Sequence, residues 1–188
     1  MSRVRFAAAR EVFEAYPGLS EEMRAAPTDD PPIEYLRALA AGGTPEDALT
    51  FCAYALGRRE AVWWGCQCIR SIGRLAPGQE DASLLAAEDW VRQPEEDRRM
   101  AALRLGGESD RQSATPWLAL AAGWSGGNVA LVAEDGYIAP QPDMTAKAVR
   151  TAVLIALARV AAKERGQRLG MCVDGGVSLL QHQVAQGA

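Results

Sequence analysis

The chain has 188 residues, 48% of them hydrophobic and 23% charged, which suits one domain of ordinary size that can bury a core without disulfides or metals. Its formal net charge of −4 gives no chain-wide electrostatic reason to bind nucleic acid. The apolar part of MSRVRFAAAREVFEAY is broken by Glu11 and Glu14, and the most apolar run, Ala152 to Ala162, is interrupted by Arg159. The first stretch does not read as a signal h-region and the second falls short of the roughly 20 apolar residues of a membrane span, so the expectation is a cytoplasmic chain with no membrane partner. Cys52, Cys66, Cys68 and Cys172 are then expected to be reduced thiols.

In chain order, an amphipathic helix is predicted from Arg3 to Tyr16, stopped by Pro17-Gly18, followed by a short one capped by Ser20. PTDDPP, 27–32, reads as a linker, and Pro32 as the first-turn proline of IEYLRALAA. Thr44-Pro45-Glu46-Asp47 supplies an N-cap, a first-position proline and first-turn acids for ALTFCAYAL. Helices are predicted over Arg58 to Leu75, over Glu80 to Gln93, and from Pro94 up to Gly106-Gly107. Thr115-Pro116 opens WLALAAGW, and Thr145 is expected to cap the longest helix, running to about Arg165. Residues 128–143 suggest an irregular crossing or a short hairpin. The fold class is therefore all-α, a single-domain helical bundle or helical-hairpin array. Residues 1–31 are expected to be peripheral and 166–188 a loosely packed tail.

GWSGG, Gly123 to Gly127, imitates the G-x-S-x-G elbow of serine hydrolases, and His182, the only histidine, follows Ser125 in the order that class uses. The elbow works on a strained strand-to-helix turn. Here Pro116 to Ala122 reads as helix, with no β-branched runs upstream to build a parallel sheet. A helix ending in which Gly126 or Gly127 takes the left-handed conformation fits better. A hydrolase using Ser125 and His182 remains the rival from another class.

On a helical wheel at about 100° per residue, Val62, Trp64, Cys66, Cys68, Ile69 and Ile72 spread over a broad apolar arc, marking Arg58 to Leu75 as central. The narrow remaining arc holds Arg59, Trp63, Gln67, Arg70 and Arg74. Tryptophan and arginine dominate binding hot spots and stack on one another, so this arc is the candidate partner-binding face. The alternative is that another element covers it and the arginines pair with nearby acids. The loop Gly126 to Pro142 is a second candidate. Cys66 and Cys68 lie about 200° apart on a helix and cannot share one ion. No nucleotide-binding or metalloprotease motif occurs, so no cofactor, no metal and no catalytic set are expected.

Three stretches, ALGRREAVWWGC (Ala55–Cys66), PWLALAAGWSGG (Pro116–Gly127) and MTAKAVRTAVLIA (Met144–Ala156), resemble an uncharacterised bacterial domain family of unknown function. The resemblance spans roughly Thr44 to Ala162. It implies a link to type VI secretion, near whose genes members of that family often lie, and carries no catalytic residue with it. Together with the arc, it gives the expectation of a non-enzymatic adaptor or chaperone-like protein that binds another protein, a secretion component or effector. An immunity protein that plugs a toxin is a close variant. A helical small-molecule binder, using the apolar core near Trp64, Trp117 and Trp124, is a third reading.

Overall fold

The computed structural model describes residues 5–74, 78, 80–130 and 136–187. Among these the chain forms ten α-helices and no strand: α1 (Ala9–Ala15), α2 (Leu19–Glu22), α3 (Pro32–Ala41), α4 (Pro45–Ala55), α5 (Arg58–Gly73), α6 (Ala82–Arg92), α7 (Glu96–Glu108), α8 (Thr115–Gly123), α9 (Met144–Ala158) and α10 (Ala162–Gly187). The fold is all-α, as composition and punctuation predict, and every helix contributes side chains to one apolar core. No described helix is long and apolar enough to cross a membrane.

Proline sets the starts of α3, α4 and α8, where its missing N–H and fixed φ cost nothing. The expected threonine caps are not formed by side chains. Thr44 stands at the N-cap of α4 without a side-chain hydrogen bond. Gly18 rather than Ser20 stands at the N-cap of α2. Thr115 and Thr145 lie inside their helices and spend their hydroxyls between helices: Thr115 Oγ1 donates to Asp81 Oδ2 of the residue before α6, and Thr145 Oγ1 donates to the carbonyl of Ala121 in α8. Asp81 caps α6, its Oδ1 accepting the N–H of Leu84 at 2.9 Å.

α5 lies at the centre, packed against α6, α8, α9 and α10. Trp64 is 1% exposed, and its Nε1 donates to the carbonyl of Cys172 in α10 at 2.8 Å. α7 does not stop at Gly106-Gly107 but runs through them to Glu108. A Cβ on Gly106 would lie 2.8 Å from both the carbonyl of Pro116 and the N–H nitrogen of Leu120, so this glycine is present for close approach of α8 and not as a helix stop.

Two terminal expectations are corrected. The first helix is shorter than predicted, because Arg5 turns away to donate to the carbonyls of Leu56 and Tyr54 at the end of α4. The segment is not peripheral: Ala9, Val12, Phe13 and Leu19 are buried, and Phe13 meets the rings of Tyr35 and Phe51, each at 6.3 Å. The predicted helix from Thr145 to Arg165 is broken at 159–161, and the longest helix is α10. Nor is 166–188 loosely packed. Leu169, Cys172, Val173, Val177 and Leu180 form one buried stripe, and each aliphatic member stabilises the fold by roughly 1.5–3 kcal/mol. At Arg159 the chain turns, with Arg165 Nε and Nη2 donating to the carbonyls of Leu157 and Val160 left over at the end of α9.

Candidate functional site

The arc of α5 meets three different environments along its length. Near the start, Arg59 reaches the end of α6, where its Nε donates to the carbonyl of Val91 at 2.7 Å and its Nη2 to that of Arg92 at 3.4 Å. These carbonyls lie in the last turn of α6, so the guanidinium acts as a cationic C-terminal cap. Beside it Trp63 is 36% exposed, whereas Trp64 and Trp90 are buried. Arg59, Glu60, Trp63, Val91 and Arg92 together wall a shallow groove. Arg92 is itself exposed and pairs with Asp89 at 2.8 Å.

Farther along, Gln67 is half-buried and Arg70 is consumed within the fold. Arg70 grips Glu88 with two hydrogen bonds, Nε to Oε1 at 2.6 Å and Nη2 to Oε2 at 2.8 Å, and gives Nη1 to Glu80 at 2.7 Å. Glu88 is 1% exposed, so the pair is the bidentate kind that satisfies a buried carboxylate. The hydrogen bond from Arg70 holds the Glu80 carboxyl below the usual carboxylate range, and the same two acids raise Arg70. Arg74 ends the helix in the left-handed region at φ 51 and pairs with Glu164 at 3.5 Å. At 1.5 Å rise per residue it stands about 16 Å from Trp63 along the axis. Of the five arc residues, the structure therefore brings together Arg59 and Trp63, commits Arg70 to α6, and sends Arg74 to the opposite end of α5.

Ser125 follows the end of α8, not a strand. Its backbone N–H donates to the carbonyl of Ala122 at 3.2 Å, and its own carbonyl accepts from Arg58 Nη1 at 2.7 Å. The glycines of the motif have packing reasons. A Cβ on Gly123 would lie 2.6 Å from Cβ and 2.7 Å from Cα of Leu103 in α7. Gly127, at φ 62, is the left-handed glycine, and a Cβ there would meet the guanidinium of Arg99. Arg99 is 4% exposed; it pairs with Glu96 and donates to the carbonyls of Gly123 and Asn128. GWSGG is thus the segment that a buried arginine clamps. His182 lies exposed on α10, and no described hydrogen bond joins it to Ser125.

The loop beyond is pinned by Asn128, whose Nδ2 donates to the carbonyl of Gly136 at 3.1 Å and whose Oδ1 accepts the N–H of Ile138 at 2.8 Å. Val129 N–H donates to the carbonyl of Ile138. No strand is formed by the described part; residues 131–135 of the predicted crossing or hairpin lie outside the described residues. Tyr137 and Ile138 stand 72% and 45% exposed. Sequence reading offered this loop as a second candidate for partner binding without singling out the pair, whose signal is two large apolar residues between Gly136 and Pro140 with no periodic partner.

All four cysteines are free and buried, and burial pushes the Cys52 and Cys66 thiols up. Among the described residues no group of three or more His, Cys, Asp or Glu is arranged to hold a metal ion. Trp117 gives its Nε1 to the carbonyl of Arg111 and Trp124 is half-buried against the core.

Profile comparison over residues 35–180 decides the affiliation. The chain belongs to DUF6931, a family of unknown function. No curated protein and no solved structure matches it. The three stretches that carried the resemblance all fall inside the DUF6931 segment, as do the Trp63 groove, the Arg99 clamp and the Asn128 loop. α1 and α2 lie outside it, although Val12, Phe13 and Leu19 join the same core.

Proposed function

We propose that this DUF6931 chain is a cytoplasmic, non-enzymatic adaptor or chaperone-like protein of type VI secretion that binds another protein through the Trp63 groove. The observation that carries the binding site is the exposure of Trp63: a large aromatic stands open on a helix whose other apolar residues are covered. A solvent-facing tryptophan between arginines is the composition of interface hot spots. Val91 supplies an apolar neighbour, Arg59 is held in place by the end of α6, and exposed Arg92 offers charge at the rim. Type VI secretion enters through the resemblance of the three stretches named above.

The test is affinity purification of the tagged chain from its native host, wild type beside Trp63→Ala, with mass spectrometry of what co-purifies. A secretion component or effector is expected with wild type. It is expected to fall at least roughly thirtyfold in affinity with Trp63→Ala, the loss typical of a hot-spot truncation of about 2 kcal/mol or more. The variant must keep its helical circular dichroism and melting point. Unchanged co-purification with the variant would sink the groove, and a host with no secretion partner in either sample would sink the adaptor reading.

A further inference from the structure

At the far end of α5 from Trp63, four helices leave a cavity of about 340 Å³ between them, at the small end of the range of ligand pockets, roughly 300–1,000 Å³. Ile69 and Ile72 of α5, Leu84 of α6 and Val160 after α9 make its apolar floor; its polar rim is Asp81, Ser113, Thr115 and Arg159. Two of these rim groups are already used. Asp81 accepts from Leu84 N–H and from the Thr115 hydroxyl, so its oxygens are engaged by the start of α6 and by the tie to α8, while its negative charge stays at the rim. The other two retain capacity. Arg159 gives only its Nη2, to the carbonyl of Gln112 at 2.8 Å, and has no acid partner among the described residues. Ser113, next in the chain to Gln112, has its hydroxyl without a hydrogen bond among them.

The surroundings add positive charge. Arg74 follows Gly73 of the rim and Arg165 covers the end of α9; with Arg159 and Arg168 they face two acids, Asp81 on the rim and Glu164, which lies 3.5 Å from Arg74 and 3.7 Å from Arg168. α6 and α8 both begin here, presenting the positive ends of their dipoles. In a chain of net charge −4, this corner is cationic.

We propose that this cavity binds a small amphipathic carboxylate, with its aliphatic tail on Ile69, Ile72, Leu84 and Val160 and its carboxylate on Arg159 and Ser113. A guanidinium with free N–H groups beside a hydroxyl matches a carboxylate, and apolar walls with a few convergent polar groups are how such sites fix orientation. The site is separate from the Trp63 groove, and neither proposal depends on the other.

The test uses the full chain with labelled methyl groups, titrated with octanoate and followed by NMR. Saturable one-to-one shifts are expected at the methyls of Ile69, Ile72, Leu84 and Val160. Octanol, which keeps the tail and lacks the charge, is expected to bind roughly tenfold or more weakly, and Arg159→Gln to weaken octanoate by a similar factor, as loss of a hydrogen bond to a charged group dictates. Arg159 is exposed, so its variant is expected to fold. The proposal falls if the shifts never saturate, if they map elsewhere, if octanol binds as well as octanoate, or if Arg159→Gln binds like wild type. It falls equally if a peptide ending in a leucine carboxylate binds and octanoate does not, which would make the occupant a protein C-terminus.

Discussion

Replacing Gly123 with alanine tests whether the G-x-S-x-G string is packing or chemistry. The new Cβ would enter at 2.6 Å from Cβ and 2.7 Å from Cα of Leu103. A backbone atom of a neighbouring helix cannot rotate away, so α7 and α8 must separate by a few tenths of an ångström or more. Overpacking of this kind costs roughly 1–3 kcal/mol. The helix-propensity gain of alanine over glycine, at most about 1 kcal/mol, is only partly realised because Gly123 is the last residue of α8. A net loss of about 1–2 kcal/mol follows. For a domain of this length each kcal/mol lowers Tm by about 2–4 °C, so Gly123→Ala is expected to melt roughly 2–8 °C below wild type by circular dichroism. Ser125→Ala is the control: the Ser125 contacts described run through backbone atoms, so its stability is expected within about 0.5 kcal/mol of wild type. A Gly123→Ala variant as stable as wild type would refute the close-approach argument. Labelling of Ser125 by a fluorophosphonate probe would restore the hydrolase.

Glu88→Gln leaves Arg70 in place and removes the buried half of its pair. Breaking a fully buried pair costs about 3–5 kcal/mol; because Arg70 is a quarter exposed and keeps Glu80, roughly 1–3 kcal/mol is expected, read from the urea midpoint, and no loss would mean the pair is structurally idle. Glu80 and Glu96 are both held below the ordinary carboxylate value of 4.5, by hydrogen bonds from Arg70 and Arg99 respectively. A lowered folded-state value means their contribution is complete above that ordinary value and is lost as pH falls through the lowered one. The urea midpoint is therefore expected to hold from neutrality to about pH 5 and then decline, and to decline less steeply in the Glu80→Gln, Glu96→Gln double variant. An equal slope in both proteins would show that these ion pairs do not govern acid sensitivity.

Legibility from sequence followed how local each determinant is. Pro32, Pro45 and Pro116 mark helix starts through their own covalent structure, and α3, α4 and α8 begin where they indicate. The α5 wheel puts Trp64 and Trp63 on opposite arcs, because the two sides of one helix differ in neighbours every three or four residues; it leaves open whether another element covers the second arc, and the structure buries Trp64 and leaves Trp63 36% exposed. The arginines of the arc could not be apportioned that way: Arg70 is decided by Glu88 and Glu80, and Arg59 by the carbonyl of Val91, all supplied from outside α5. α10 was hidden by Gly166, Gly170, Gly175 and Gly176, each of which lowers helix propensity by about 1 kcal/mol. Packing overrides that deficit. A Cβ on Gly176 would run into the Cys52 sulfur, so the residue that weakens the local signal is the one that lets α10 close on α4 and Trp64. Gly106 misled in the same way.

The Asn128 clasp has a consequence for how the chain can be altered. Because the side chain of Asn128 closes on the carbonyl of Gly136 and the N–H of Ile138, and Arg99 of α7 in turn holds the carbonyl of Asn128, a change at either residue is felt well outside its own segment. Asn128→Ala frees the Gly136 carbonyl and the Ile138 N–H together, so one side chain governs two distant backbone groups.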